Sequence, residues 1–333
     1  MQLPGTILGV PMNPFWFALF VLAVAAAVTP WFLLRESGAR TRLFLTGLGA
    51  FLAAGVGVLY QDYRLRGWQQ ARILHYLDTL YELEADRAIQ ELLAQPRYQD
   101  PKRLNRFEAK TYSQGGEDGI LQEVFRRIGT TNRFFVEFGC GDGTENNTVL
   151  LLTTGWRGLW LEADPAAVRK IGSHFAREIR DQRLEVSQAF VTAENIESLF
   201  SAANVPSVFD LLSIDIDLND YHVWRSLTSY RPRVVVIEYN AVFPPGVDWV
   251  VDYDPRGAWD GTSRAGASLT ALERLGRQKG YRLVGCNLGG VNAFFIREDL
   301  VGEHFAAPFS AEHHYEPQRI PLQLRQAGHP RRP

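Results

Sequence analysis

The sequence predicts an α/β fold: a mostly parallel seven-stranded sheet covered by helices on both faces, with the last strand antiparallel. Three observations predict it. Between residues 113 and 297, short apolar runs alternate with helical patterns. Runs such as VVVIEY at 234–239 are apolar throughout, the pattern of a strand buried on both faces. The last two runs are joined by Leu288-Gly289-Gly290, which is hairpin chemistry.

Composition sets the outer bounds. The chain has 333 residues, 46% of them hydrophobic, and a net charge of −2. A domain holds ~100–200 residues, so one large domain with an accessory segment, or two domains, is expected. Near-neutral charge argues against a nucleic-acid partner held by phosphate attraction. Two cysteines, Cys140 and Cys286, exclude a disulfide-dense scaffold and a multi-cysteine zinc site.

Charge is nearly absent from residues 1–60, where only Arg35, Glu36, Arg40 and Arg42 carry it. The runs 14–34 and 43–60 are free of charge, and an apolar helix needs ~20 residues to cross a bilayer. Trp16, Trp31 and Tyr60 stand near the run ends, where interfacial aromatics belong. These features predict a transmembrane helical hairpin over 1–60, with a lipid bilayer as partner. No Lys or Arg precedes Arg35, which argues against a signal peptide. Arginines on both sides of the second run leave the orientation undecided.

Residues 61–100 read as a helical connector. Leu74, Leu77, Tyr81, Ala85, Ala88 and Leu92 recur every three or four positions, making one apolar stripe that packs on the domain or self-associates as a homo-oligomer. Pro96 and Pro101 end it. Residues 101–305 form the α/β domain, and 306–333 a proline-rich tail.

Within the domain, Ser113–Ile128 reads as a helix and Arg133–Phe138 as the first strand. Thr144–Thr154 is helical, and Gly158–Glu162 is the second strand. Pro165–Arg180 is a helix with proline in its first turn. Leu184–Val191 and Asp210–Asp217 are strands separated by the helix Ala193–Ala203. Asp220–Leu227 is a short helix, Val234–Tyr239 a strand and Ser268–Lys279 a helix. Tyr281–Asn287 and Val291–Arg297 close the sheet. Ligands of such sheets bind beyond the carboxyl ends of the strands, at the point where strand order reverses. The chemistry is therefore expected just after Phe138, Glu162, Asp217 and Tyr239.

Glu137-Phe138-Gly139-Cys140-Gly141-Asp142-Gly143 follows the first strand. Glycines there allow a tight turn and close approach of backbone to ligand. The spacing G-x-G-x-G departs from the dinucleotide fingerprint, which disfavours a nicotinamide dehydrogenase. Glu162 ends the second strand, where a carboxylate can accept ribose hydroxyls.

These motifs resemble the class I S-adenosylmethionine-dependent methyltransferases, whose sheet is Rossmann-like, and within them the FkbM-like group. The residues that carry the resemblance are YSQGGEDGIL at 112–121, VEFGCGDG at 136–143, ENNTVLLL at 145–152, GWRGLWLEAD at 155–164, LLSIDID at 211–217 and VVVIEYNAVFPP at 234–245. It covers about residues 110–300. The resemblance implies S-adenosyl-L-methionine as cofactor. It places Glu137, Gly139 and Gly141 at the methionine end, Glu162 on the ribose, and Asp142 and Asp215 in the same cleft. Where that group often has Asp-x-Glu-Gly, this chain has Asp215-Ile216-Asp217-Leu218.

Asp215 and Asp217 have the spacing that puts both on one strand face. Asp217, Glu238 and Asn240 could together hold Mg²⁺. Removal of a proton from a hydroxyl acceptor points to Asp217, Glu238 or His222. Residues 241–265 form a long loop whose aromatics and acids suit a sugar-like or other small acceptor or glycan, and equally suit simple lid packing. The expected function is thus a membrane-anchored methyltransferase, acting on an oxygen, with its catalytic domain in the cytoplasm where the cofactor is made. The alternative is a membrane-tethered binding or scaffold protein that keeps the fold without catalysis.

Overall fold

The computed structural model describes residues 38–319 continuously, with a few separate positions outside that span. The chain divides into two compact units, Met1–Leu80 and Tyr81–Pro333. The first contains a small antiparallel ladder, Thr6–Ile7 against Val10–Pro11, and much of helix α1, Ala39–Leu93.

Among the described residues, no helix is long and apolar enough to cross a membrane. This overturns the two-span, multi-pass expectation. Most of run 14–34 lies outside the described residues. Run 43–60 does not end as a separate span. With no proline or turn sequence after Tyr60, helical hydrogen bonding continues through Asp62, Arg64 and Arg66, and the run is one part of a 55-residue helix. That helix stops at Leu93, three residues before Pro96 opens a single 3₁₀ turn, Pro96–Tyr98. The connector stripe is unevenly covered: Ala85 is buried, whereas Leu74 and Leu77 are 54% and 56% exposed.

The second unit is built on a seven-stranded sheet. Its strands are β1 (Phe134–Phe138), β2 (Arg157–Glu162), β3 (Leu184–Gln188), β4 (Leu211–Ile214), β5 (Val234–Glu238), β6 (Tyr281–Cys286) and β7 (Asn292–Arg297). Their order is β3-β2-β1-β4-β5-β7-β6. All neighbours are parallel except β7, which runs antiparallel to both β5 and β6. The chain leaves β1 toward one edge and returns to fill the other, so strand order reverses between β1 and β4.

Period two explains how the sheet is buried. Val136, Phe138, Leu212, Ile214, Val235 and Ile237 point into one apolar cluster. There they meet helices α6 (Ile196–Ala202), α7 (Asp220–Ser226) and α8 (Leu269–Gln278). Phe135, Trp160, Leu211, Val234, Val236 and Phe294 point into the other. There they meet α2 (Glu117–Ile128), α3 (Val149–Thr153) and α4 (Pro165–His174). A further short helix, α5 (Ala176–Arg180), follows α4.

At the rear of the sheet, the buried Asp210 carboxylate accepts from the backbone N–H groups of Thr131, Asn132 and Arg133 just before β1. It also pairs with Arg233 at 2.7 Å, just before β5. Arg233 in turn donates to the carbonyls of Ile128 and Gly129 at the end of α2. Three strands and a helix are thereby fixed at the end opposite the strand termini where a ligand is expected.

Several elements are shorter than their patterns predict, the helix read from Thr144 and the strand read to Val191 among them, and two show the local reason. Helix α2 begins at Glu117, not Ser113, because Gly116 is left-handed at φ +100°. The Asp118 carboxylate gathers the N–H groups of Thr111, Tyr112 and Ser113 into a loop. Strand β4 ends at Ile214, because the Asp220 carboxylate accepts the Ile216 N–H at 2.9 Å and Asp217 turns left-handed at φ +64°.

Candidate active site

The first and second strands deliver the glycine turn and Glu162 to one place. Gly139 has φ +77°, and a Cβ there would sit 1.3 Å from the Asp215 carbonyl oxygen. Only glycine lets this turn lie on the chain leaving β4. Glu162 reaches back across the turn: Oε2 accepts the Gly141 N–H at 2.7 Å and Oε1 accepts the Asp164 N–H at 2.8 Å. A carboxylate has about four acceptor sites, so two remain beyond these bonds. Gly139, Gly141, Glu162, Asp215, Asp217 and Glu238 together line a cleft of about 480 Å³.

A smaller cleft of about 170 Å³ adjoins it at the same turn, lined by Glu137, Asp142, Asn146 and Asp215 among others. Glu137 is buried, and both its oxygens are engaged. Oε1 accepts from the Asn147 N–H and the Ser213 hydroxyl, and Oε2 from the Thr148 N–H and hydroxyl. Burial raises its pKa and those hydrogen bonds oppose the rise. Glu137 is therefore a positioning residue for the 146–148 turn. Asp142 accepts the Thr144 hydroxyl at 2.6 Å, which together with Lys170 holds its carboxyl below the usual range. Cys140 is buried in the turn with its thiol pushed well up by desolvation, which makes it unreactive.

Asp215 and Asp217 do not lie on a strand face, because β4 ends before them. The turn nonetheless brings their carboxylates together with Glu238, with oxygens within 4.8 Å of one another. Asn240 serves a different purpose from the ligand role its spacing suggests. Its amide donates to the carbonyls of Ser263 and Ala265, and its carbonyl accepts the Val242 N–H, so it closes the base of the 241–265 loop. His222 is buried on α7, with Nε2 at 2.7 Å from the Val251 carbonyl, and lines neither of these clefts. Sequence reasoning gave no role to Asn146, although it stands in ENNT beside the glycine run.

Burial and its neighbours push the acid cluster up. Desolvation, then Glu238, raises Asp215 well above the carboxylate range. Desolvation raises Asp217. Glu238 is pushed up to about 8 by desolvation, then by Asp220 and Asp217. Between the ordinary 4.5 and about 8, the folded protein keeps a proton on Glu238 that the unfolded chain has released. Stability is therefore lost as pH rises through that window. Glu238→Gln removes the titration, so with chelator present its unfolding free energy relative to wild type should increase from pH 5 to pH 9. A difference that is the same at both pH values in denaturant titrations would contradict the shift.

Asp217 and Glu238 also line a third cleft of about 310 Å³, walled by Trp259, Thr262, Ser263 and Gln318. Trp259 is 53% exposed, its indole N–H held by the Thr262 carbonyl. The acids thus stand at the boundary of two spaces, one bordered by the glycine turn and one by the long loop.

No family model matches the chain, and no curated protein matches it. Among solved structures it is similar to the methyltransferase domain of bacterial CtHen1, at 15% identity, covering 55% of this chain and 97% of that one with a TM-score of 0.35. It is similar to an S-adenosylmethionine-dependent methyltransferase from Clostridium acetobutylicum, at 11% identity, covering 56% and 92% with a TM-score of 0.36. It is also similar to the mitomycin 7-O-methyltransferase MmcR, at 17% identity, covering 54% of each chain with a TM-score of 0.33. These likenesses are too slight to argue from; the α/β fold rests on the order of the seven strands itself, β3-β2-β1-β4-β5-β7-β6, with β7 reversed.

Proposed function

We propose that the chain is an S-adenosylmethionine-dependent methyltransferase of FkbM-like type that methylates a hydroxyl on a small, sugar-like acceptor. One observation carries the reading. Glu162 ends β2 against the Gly139–Gly141 turn, lines a cleft and keeps two acceptor sites, the arrangement that receives two neighbouring ribose hydroxyls. A bound sulfonium cofactor supplies an activated methyl group. The chain's own residues supply orientation and proton handling. Glu162 fixes the ribose, and the glycine turn admits the backbone close to the ligand. Asp217, at the boundary of the two clefts beside Glu238, accepts the proton of the acceptor hydroxyl as the new bond forms. Trp259, Thr262, Ser263 and Gln318 offer the ring face, hydroxyls and amide that a polyhydroxy acceptor uses.

The proposal extends to Mg²⁺. Asp215, Asp217 and Glu238 are an all-oxygen donor set of the kind a hard cation takes. Asn219, buried in the same cleft with its side-chain carbonyl free of hydrogen bonds, adds a further oxygen.

Calorimetry on the full-length protein tests the cofactor assignment. Binding of S-adenosylmethionine and S-adenosylhomocysteine, without binding of NAD, is expected. Two charge-assisted hydrogen bonds are worth ~3 kcal/mol or more together, so Glu162→Ala should weaken binding about a hundredfold. A folded Glu162→Ala protein that keeps wild-type affinity would sink the assignment.

A further inference from the structure

The small cleft at the glycine turn holds one group that nothing among the described residues satisfies. Asn146 is 8% exposed, and its side-chain Nδ2 is buried without a hydrogen-bond partner. An amide NH₂ only donates. Leaving it unpaired in the interior costs ~1–3 kcal/mol, so its place beside a cleft calls for an acceptor that arrives with a ligand.

Its surroundings narrow what that acceptor is. Asp142 and Glu145 line the same cleft, and their negative charge draws in an ammonium and repels a carboxylate. A ligand carrying both groups can settle there only if its carboxylate finds a donor. The position along the ligand is also set. Glu162 lines the 480 Å³ cleft and Asn146 the 170 Å³ cleft, and Gln114, Gly139, Gly141 and Asp215 border both. A molecule whose ribose is at Glu162 therefore reaches Asn146 with its other end.

We infer that Asn146 reads the carboxylate at the amino-acid end of the cofactor and makes the cleft selective for an adenosyl thioether or sulfonium that carries an α-amino acid. The inference rests on the methyltransferase reading above. The side chain is aimed by the buried Glu137, which grips the next two residues through the Asn147 and Thr148 N–H groups at 2.9 and 3.2 Å. The Asn147 amide donates to Ser213 on β4 at 3.1 Å, which locks the turn to the sheet. Asn146 is thus a binding residue standing on a rigid support.

Two ligands that differ only at that end separate the possibilities. S-adenosylhomocysteine has the amino-acid carboxylate, and methylthioadenosine lacks it. Isothermal calorimetry on the full chain should show that Asn146→Ala weakens S-adenosylhomocysteine about tenfold and leaves methylthioadenosine unchanged. Asn146→Asp, which keeps the shape and adds a repelling charge, should weaken S-adenosylhomocysteine further and again spare methylthioadenosine. Equal weakening of both ligands, or no weakening of S-adenosylhomocysteine in either variant, overturns the inference. Thermal unfolding of the variants identifies a fold defect, and the variant that keeps wild-type stability then decides. If the wild-type protein binds neither ligand, the cofactor assignment itself has failed, a result distinct from a failure confined to the Asn146 variants.

Discussion

Asp217→Asn is expected to cut methyl transfer by about 10²–10⁴-fold, the range a positioned proton acceptor contributes, with cofactor affinity unchanged. The substitution is unusually clean. Asp217 is left-handed at φ +64°, a conformation that asparagine tolerates nearly as well as aspartate. The variant therefore keeps the turn after β4 and loses only the carboxylate that Glu238 and Asp215 share. Single-turnover rates with calorimetry on the same preparation separate the two effects. Turnover near wild type would remove Asp217 from the chemistry. The same assay with a chelator decides the cation: lowered turnover restored by Mg²⁺ supports it, and unchanged turnover removes it.

Gly139→Ala is expected to produce the largest loss of stability among the glycine-turn substitutions. A left-handed alanine costs ~1–2 kcal/mol by itself. The new Cβ would also fall 1.3 Å from the Asp215 carbonyl oxygen, so the end of β4 must move away from β1. A total above ~4 kcal/mol is expected, the range reserved for severe steric defects, with cofactor binding lost as well. Gly141 is the control. It is left-handed at φ +51° with nothing within 4 Å of an added Cβ, so Gly141→Ala should cost only the ~1–2 kcal/mol backbone penalty. Denaturant unfolding that gives similar losses for both would show that the turn does not rest on Asp215.

The strands and their ligand-facing ends were legible because the information is local. Apolar runs such as Val234–Glu238 and the glycine turn beside Glu162 announce themselves within a few residues. What spacing could not show is where side chains pull the chain off its regular path. The Asp220 carboxylate ends β4 early, so Asp215 and Asp217 meet Glu238 across a turn rather than along a strand. Asn240 has the right position for a ligand but is occupied by two loop carbonyls 23 and 25 residues away. Asn146 became visible only once its neighbours and its missing partner were known. The N-terminal misreading has the opposite cause. Hydropathy divides residues 43–93 into an apolar and a charged stretch, whereas backbone hydrogen bonding, indifferent to that division, makes them one helix.

The Asp210–Arg233 pair has a consequence for how this protein can diverge. It ties β1, β4, β5 and α2 together at the rear of the sheet, while the 241–265 loop joins the sheet at the front. Cohesion and recognition are thus assigned to opposite poles. Drift in Trp259, Thr262 or Ser263 can reshape the cleft they line without loosening the frame that holds the glycine turn and Glu162. A lineage built on this scaffold can vary its long loop while inheriting the glycine turn and Glu162 intact.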